Sequence, residues 1–274
     1  MQGIKTFIPT ERKITYLNML LNCNFDTLDF GSFVSPKAIP QMQDTAKVLE
    51  GLNFSRSNTK LLAIIANQRG AKEACKYDPI QYLGYPFSIS ETFQMRNTHK
   101  TIEQSLVTLK QILEIASQYN KEVIVYLSMG FGNPYGEIWN EVIVANWTET
   151  LYKLGVCTIS ISDTVGTSKP ETIKKIYKHL IPKYPTIEFG AHLHTSKTTW
   201  HEKLDAAYEA GCRRFDGAIQ GFGGCPMASD ALVGNMPTEQ MISYFTSKKQ
   251  TYGVNTLAFE SAYNNASQLF KKFH

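Results

Sequence analysis

The sequence has no C-x-x-C pair, no long apolar run and no basic-then-apolar opening. Each absence excludes a class. Cys23, Cys75, Cys157, Cys212 and Cys225 form an odd set without zinc-type spacing, which argues against a disulfide framework or a structural zinc site. No stretch approaches the roughly 18 apolar residues of a membrane-spanning helix. The amino terminus lacks the pattern of a secretory signal. Charge is also modest: the net value is +4, and the lysines occur singly or in short pairs such as Lys174–Lys175. That distribution fits solvated helix faces rather than a nucleic-acid stripe. No low-complexity stretch or Pro/Gly/Ser linker divides the chain, so one domain over 1–274 is expected. A soluble cytoplasmic protein with neither a membrane nor a nucleic-acid partner is the default expectation.

What is present is an alternation of short β-branched runs with amphipathic stretches. Strands are expected at "FDTLDFGS" (25–32), "TKLLAIIA" (59–66), "PIQYLGYPFS" (79–88) and "KEVIVYLSMG" (121–130). Three more are expected at "CTISISD" (157–163), "TIEFGAHLH" (186–194) and "RRFDGAIQG" (213–221). Between them, Ile102, Leu106, Leu109, Ile112 and Ile115 recur at helical spacing, and Leu204, Ala207 and Tyr208 form a face that stops at Gly211. Thr10 is an expected N-cap for an opening helix. The alternation implies a parallel α/β sheet, either doubly wound or a (β/α)8 TIM barrel. A barrel of that class needs eight parallel strands, and seven are legible. Either the sheet is open or a first strand lies upstream of Met1.

Several residues at strand ends can do chemistry. His192 and His194 are two apart, so in a strand they point to the same face. They are either two metal ligands or two buried, hydrogen-bonded histidines. Asp163 ends the preceding strand run, where it is either a site carboxylate or a turn former. Asp29 is unusual inside a strand run and needs a partner there, unless it is a turn residue. The stretch "QGFGGCPMASDALVGNMPTE" (220–239) carries Gly221, Gly223, Gly224, Cys225 and Asn235. Its glycines allow close approach to a ligand, and Cys225 has the context of a reactive thiol, although phosphate binding would suit such a loop equally.

Taken together, "FGSFVSPKAIPQMQD", "SDTVG", "HLH" and "GFGGCP…GN…TE" resemble, in order and spacing, the hydroxymethylglutaryl-CoA lyases. The resemblance covers nearly the whole chain. It implies a metal-dependent (β/α)8 barrel with an extra C-terminal helix. It also implies cleavage of 3-hydroxy-3-methylglutaryl-CoA to acetyl-CoA and acetoacetate. His192, His194 and Asn235 match the family's ligands to Mg²⁺ or Mn²⁺, and Cys225 matches its catalytic cysteine. Asp163 and Asp29 fall where the family keeps acidic residues, with Asp163 the candidate acid/base and His192 assisting. Gln2, Ser32, Gly223 and Gly224 are the expected substrate-binding positions, and a homodimer is the expected assembly. A related acyl-CoA/2-oxo acid condensing enzyme, or an inactive barrel serving as a scaffold, are the alternatives.

The sequence also departs from the family pattern. After His194 the usual Asp-Thr-x-Gly is replaced by Thr195–Ser196–Lys197–Thr198, and "MGFGNPYGE" lacks cysteines found in some relatives. The loop from Cys225 to Asn235 is one residue longer than in many. "MQGIK" resembles the tail of the family's opening Arg-Asp-Gly-Leu-Gln motif. On that resemblance the arginine and a ligand aspartate precede Met1, and the chain as written is expected to be impaired.

Overall fold

A computed structural model describes residues 1–223, 233–250 and 252–273. The strands are β1 (Thr27–Ser32), β2 (Lys60–Ile64), β3 (Ile80–Ser88), β4 (Glu122–Ser128), β5 (Thr158–Asp163), β6 (Glu188–Thr195), β7 (Arg214–Phe215) and β8 (Gly234–Asn235). The helices are α1 (Thr10–Leu21), α2 (Thr45–Glu50), α3 (Gln68–Ala74), α4 (Glu91–Thr98), α5 (Ile102–Gln118), α6 (Glu141–Lys153), α7 (Pro170–Lys183), α8 (Trp200–Glu209), α9 (Thr238–Ser247) and α10 (Thr256–Phe273). Strand and helix alternate along the chain as in the (β/α)8 class. Every expected strand run contains a strand. Residues 1–9 contain none, and no described helix is long and apolar enough to cross a membrane.

Two compact units are present. The first comprises 1–83, 115–122 and 245–274. Here β1 and β2 pair in parallel, with a bulge between Asp29 and Gly31. Helix α1 buries Tyr16, Leu17, Leu20 and Leu21, and Tyr16 meets Phe270 of α10 edge-on at 5.6 Å. The expected cap Thr10 is instead the first helical residue, after Pro9. Its hydroxyl donates to Asp44 Oδ2 at 2.7 Å, a tertiary partner that takes it away from the helix's own amides. Lys13 is buried against Asp44 Oδ1 at 2.7 Å and also donates to the Gln41 carbonyl. The Gln41 side chain accepts from Ile8 N and donates to the carbonyls of Ile4 and Thr6, which fastens the opening segment to the unit.

The second unit comprises 84–114 and 123–244. Strands β4, β5, β6 and β7 pair successively in parallel. All six residues of β5 are buried, as expected of a parallel strand covered on both faces. The last expected strand is much shorter than its sequence run. After Phe215 the chain turns, because Ala218 exchanges backbone hydrogen bonds with Met236 and Thr238 rather than continuing along β6. The segment that it meets holds an unexpected strand. Only two residues long, β8 lies antiparallel on the tip of β6. Gly211, with φ +100°, ends α8 where the sequence places the stop.

Candidate metal centre

The tip of β6 gathers three of the expected ligands. His192 and His194 share a face of the strand, with ring centroids 5.5 Å apart. In the antiparallel pairing Asn235 of β8 stands directly opposite His194, and residues opposed in this way project to the same side. Gly223 makes room for the amide. With φ +113°, its added Cβ would lie 2.5 Å from Asn235 Nδ2.

The hydrogen-bond partners decide which atoms can face a cation. His194 is 3% exposed, and its Nδ1 lies 3.0 Å from the Thr164 carbonyl, which can only accept. The hydrogen is therefore on Nδ1, and the lone pair is on Nε2. Burial, followed by the charge of His192, lowers the His194 pKa from 6.5 to about 4, so the ring is neutral at physiological pH. His192 Nδ1 lies 3.1 Å from Asp216 Oδ2. Burial works to raise the Asp216 carboxyl, but the hydrogen bond and charge of His192, with Arg214 and Ser160, outweigh it and hold the group below its usual range. Asp216 is thus an ionised acceptor, and His192 also carries its hydrogen on Nδ1. Asn235 Nδ2 donates to the Phe222 carbonyl at 3.1 Å, which leaves Oδ1 as the acceptor of its side chain.

Two imidazole Nε2 atoms and one amide oxygen, each oriented through its other polar atom, fit a divalent cation that accepts mixed nitrogen and oxygen ligands. Among the described residues, no three His, Cys, Asp or Glu side chains converge to hold a metal by themselves. Among the described residues the amide is the third donor beside the two rings.

Asp163 proves to be placed differently from the expected acid/base. It is fully buried, and Oδ1 accepts from Ser168 N at 3.0 Å. Its Oδ2 accepts from the Ser168 hydroxyl at 2.5 Å and from the Lys203 ammonium at 2.7 Å. Both of its oxygens are thus taken up by Ser168 and Lys203. Cys225 and Gly224 lie outside the described residues. Gln2, Asp29 and Ser32 belong to the first unit. There Gln2 is exposed, and Asp29 acts electrostatically on the Met1 amino group. The Ser32 hydroxyl is buried without a hydrogen-bond partner among the described residues. Ser32 also lines a cavity of about 300 Å³ with Thr45, Arg69 and Glu73.

Asp216 was not among the expected site residues, although an aspartate inside "RRFDGAIQG" is as unusual for a strand run as Asp29. Ser160 was also missed. Its hydroxyl donates to Asp216 Oδ2 at 2.9 Å, in space that the absent side chain of Gly190 leaves open.

A family model described as HMGL-like matches residues 1–265. The chain belongs to this family. Its match includes residues of both compact units. The hydroxymethylglutaryl-CoA lyase YngG of Bacillus subtilis is 31% identical over 242 residues, covering 88% of this chain and 80% of that protein. An HMG-CoA lyase from Acinetobacter baumannii, solved in complex with coenzyme A and 3-methylmalate, superposes with a TM-score of 0.89 at 30% identity. That likeness covers 98% of this chain and 87% of the other. The Bacillus subtilis HMG-CoA lyase structure gives a TM-score of 0.90 at 29% identity, covering 98% and 89%. These likenesses agree with the (β/α)8 class of this HMGL-like chain.

Proposed function

We propose that this HMGL-like chain is a carbon–carbon lyase that splits 3-hydroxy-3-methylglutaryl-CoA into acetyl-CoA and acetoacetate. In this reading His192, His194 and Asn235 hold Mg²⁺ or Mn²⁺. One observation carries it: both histidines spend their Nδ1 hydrogens on protein acceptors, so their Nε2 lone pairs are available beside the Asn235 amide. The acyl-CoA substrate class is supported by the names of the relatives and by the coenzyme A complex of one of them.

A bound divalent cation would supply Lewis-acid polarisation of substrate oxygens. The protein's own groups do the rest. Asp216 and Thr164 fix the two ring orientations, and Gly223 admits the Asn235 amide. The resemblance also gives His192 an assisting catalytic part, but with Nε2 on the cation and the Nδ1 hydrogen on Asp216 neither nitrogen is left to take a proton, so its proposed duty is to hold the cation. Cys225 is proposed to deliver a proton to the carbon released as acetyl-CoA. Asp163 is reassigned from acid/base to positioning. Gln2, Ser32, Gly223 and Gly224 stay proposed for substrate binding, and Asp29 stays proposed as catalytic. A cytoplasmic, reducing setting is supported by the free thiols of Cys23, Cys75, Cys157 and Cys212.

A citrate-synthase-coupled assay tests the proposal. Acetyl-CoA should form from 3-hydroxy-3-methylglutaryl-CoA, stop with EDTA and resume with excess Mg²⁺ or Mn²⁺. Absence of product at saturating substrate and Mn²⁺ overturns the lyase reading. Consumption of acetyl-CoA with a 2-oxo acid would instead favour the condensing alternative.

A further inference from the structure

We propose that Lys203 is a positioning residue for the metal centre, its single buried ammonium setting the orientation of the His194 ring. The proposal rests on the reading of His192, His194 and Asn235 as ligands. Lys203 lies on α8 and is 2% exposed. An ammonium has three hydrogens to donate, and here each has an acceptor. They are Asp163 Oδ2 at 2.7 Å, the Gly166 carbonyl at 2.9 Å and the His194 carbonyl at 3.0 Å.

These acceptors are related to one another. Asp163 and Gly166 are the two ends of one turn, closed by Gly166 N donating to the Asp163 carbonyl at 3.0 Å. Between them sits Thr164, whose carbonyl accepts the Nδ1 hydrogen of His194. Its hydroxyl accepts from Met129 N at 2.8 Å, which ties the same turn to the residue just after β4. The ammonium therefore grips the backbone of the ligand residue and both ends of the turn that carries the ligand's partner. An apolar side chain could fill the space of Lys203 but would take a donor from all three acceptors, leaving Asp163 Oδ2 with the Ser168 hydroxyl alone and the two carbonyls without the ammonium. A buried ion pair alone is often replaceable without loss, so the Asp163 contact does not account for the lysine. The two carbonyl bonds do. Without them the Thr164 carbonyl is released, the Nδ1 hydrogen of His194 loses its fixed acceptor, and Nε2 no longer always presents a lone pair.

The test uses protein with ¹⁵N-labelled histidine, compared with Lys203→Met and with the double variant Asp163→Asn/Lys203→Met. The double variant removes the unpaired charge and carries the test if the single one does not fold. Long-range ¹H–¹⁵N correlation of the metal-free proteins reads the His194 tautomer, and EPR titration reads Mn²⁺ affinity. The unaltered chain should show the Nδ1–H form alone. The folded variants should show mixed tautomers and bind Mn²⁺ about 10- to 100-fold more weakly. Folded variants that keep both the tautomer and the affinity overturn the role of Lys203. If the unaltered chain binds no Mn²⁺ while the variants still lose the tautomer, the ligand reading falls and the positioning of His194 by Lys203 stands.

Discussion

Asn235 stands opposite His194 across the two-residue pairing of β8 with β6. In the proposed centre, that register is what adds the amide to the pair of histidines. Asn235→Ala should therefore weaken Mn²⁺ binding by about tenfold or more, with the melting temperature little changed because the backbone pairing remains. Calorimetric titration with Mn²⁺ checks this, and unchanged affinity would remove the amide from the ligand set.

Asp216 orients His192 from behind. Replacing it with Asn keeps the size but permits either histidine tautomer. We expect Mn²⁺ affinity to fall by about 10- to 100-fold and turnover at limiting metal to fall with it. Excess Mn²⁺ should recover much of that loss, and the dependence of rate on metal concentration distinguishes this from simple unfolding.

Gly223 combines a left-handed backbone with direct contact to the amide. Gly223→Ala places a methyl 2.5 Å from Asn235 Nδ2 at φ +113°. The strained backbone should cost about 1 kcal/mol or more, and the displaced amide should weaken Mn²⁺ binding as well. Denaturant unfolding and metal titration on the same samples measure the two effects separately.

His194 makes stability depend on pH. Its pKa is 6.5 when unfolded and about 4 when folded, so between those values the unfolded state binds more protons. Stability contributed by the neutral ring is complete above about pH 6.5 and is lost as pH falls towards 4. The loss amounts to a few kcal/mol. Metal-free His194→Gln should show a flatter decline in melting temperature across that window. Parallel curves for the two proteins would contradict the assignment.

Cys225 is proposed from the family resemblance, so its test should separate chemistry from metal binding. Cys225→Ala should abolish turnover in the coupled assay and leave Mn²⁺ affinity unchanged. Retained turnover would dismiss the thiol as the proton donor.

Much of this arrangement was legible because strand periodicity is short and rigid. Two histidines two apart in an apolar run share a face, and β6 places them so. The strand alternation was readable for the same reason, since each run carries its own β-branched residues. Other features had no local signal. A two-residue strand such as β8 has no period to detect, and its pairing with β6 depends on residues about 40 positions away. Asp163 was visible as a carboxylate at a strand end, but its burial depends on Lys203, another distant residue. Lys203 did leave a trace: it precedes Leu204 and lies four residues before Ala207, so it belongs to the buried side of α8. A lysine in that position signals a buried acceptor.

The brevity of β8 also bears on how such a site can evolve. Slipping its register by one residue would bring Gly234 or Met236 opposite His194 and turn the amide to the other face. The stretch from Gly223 to Gly234 can thus gain or lose residues among descendants only if Asn235 returns to the same rung.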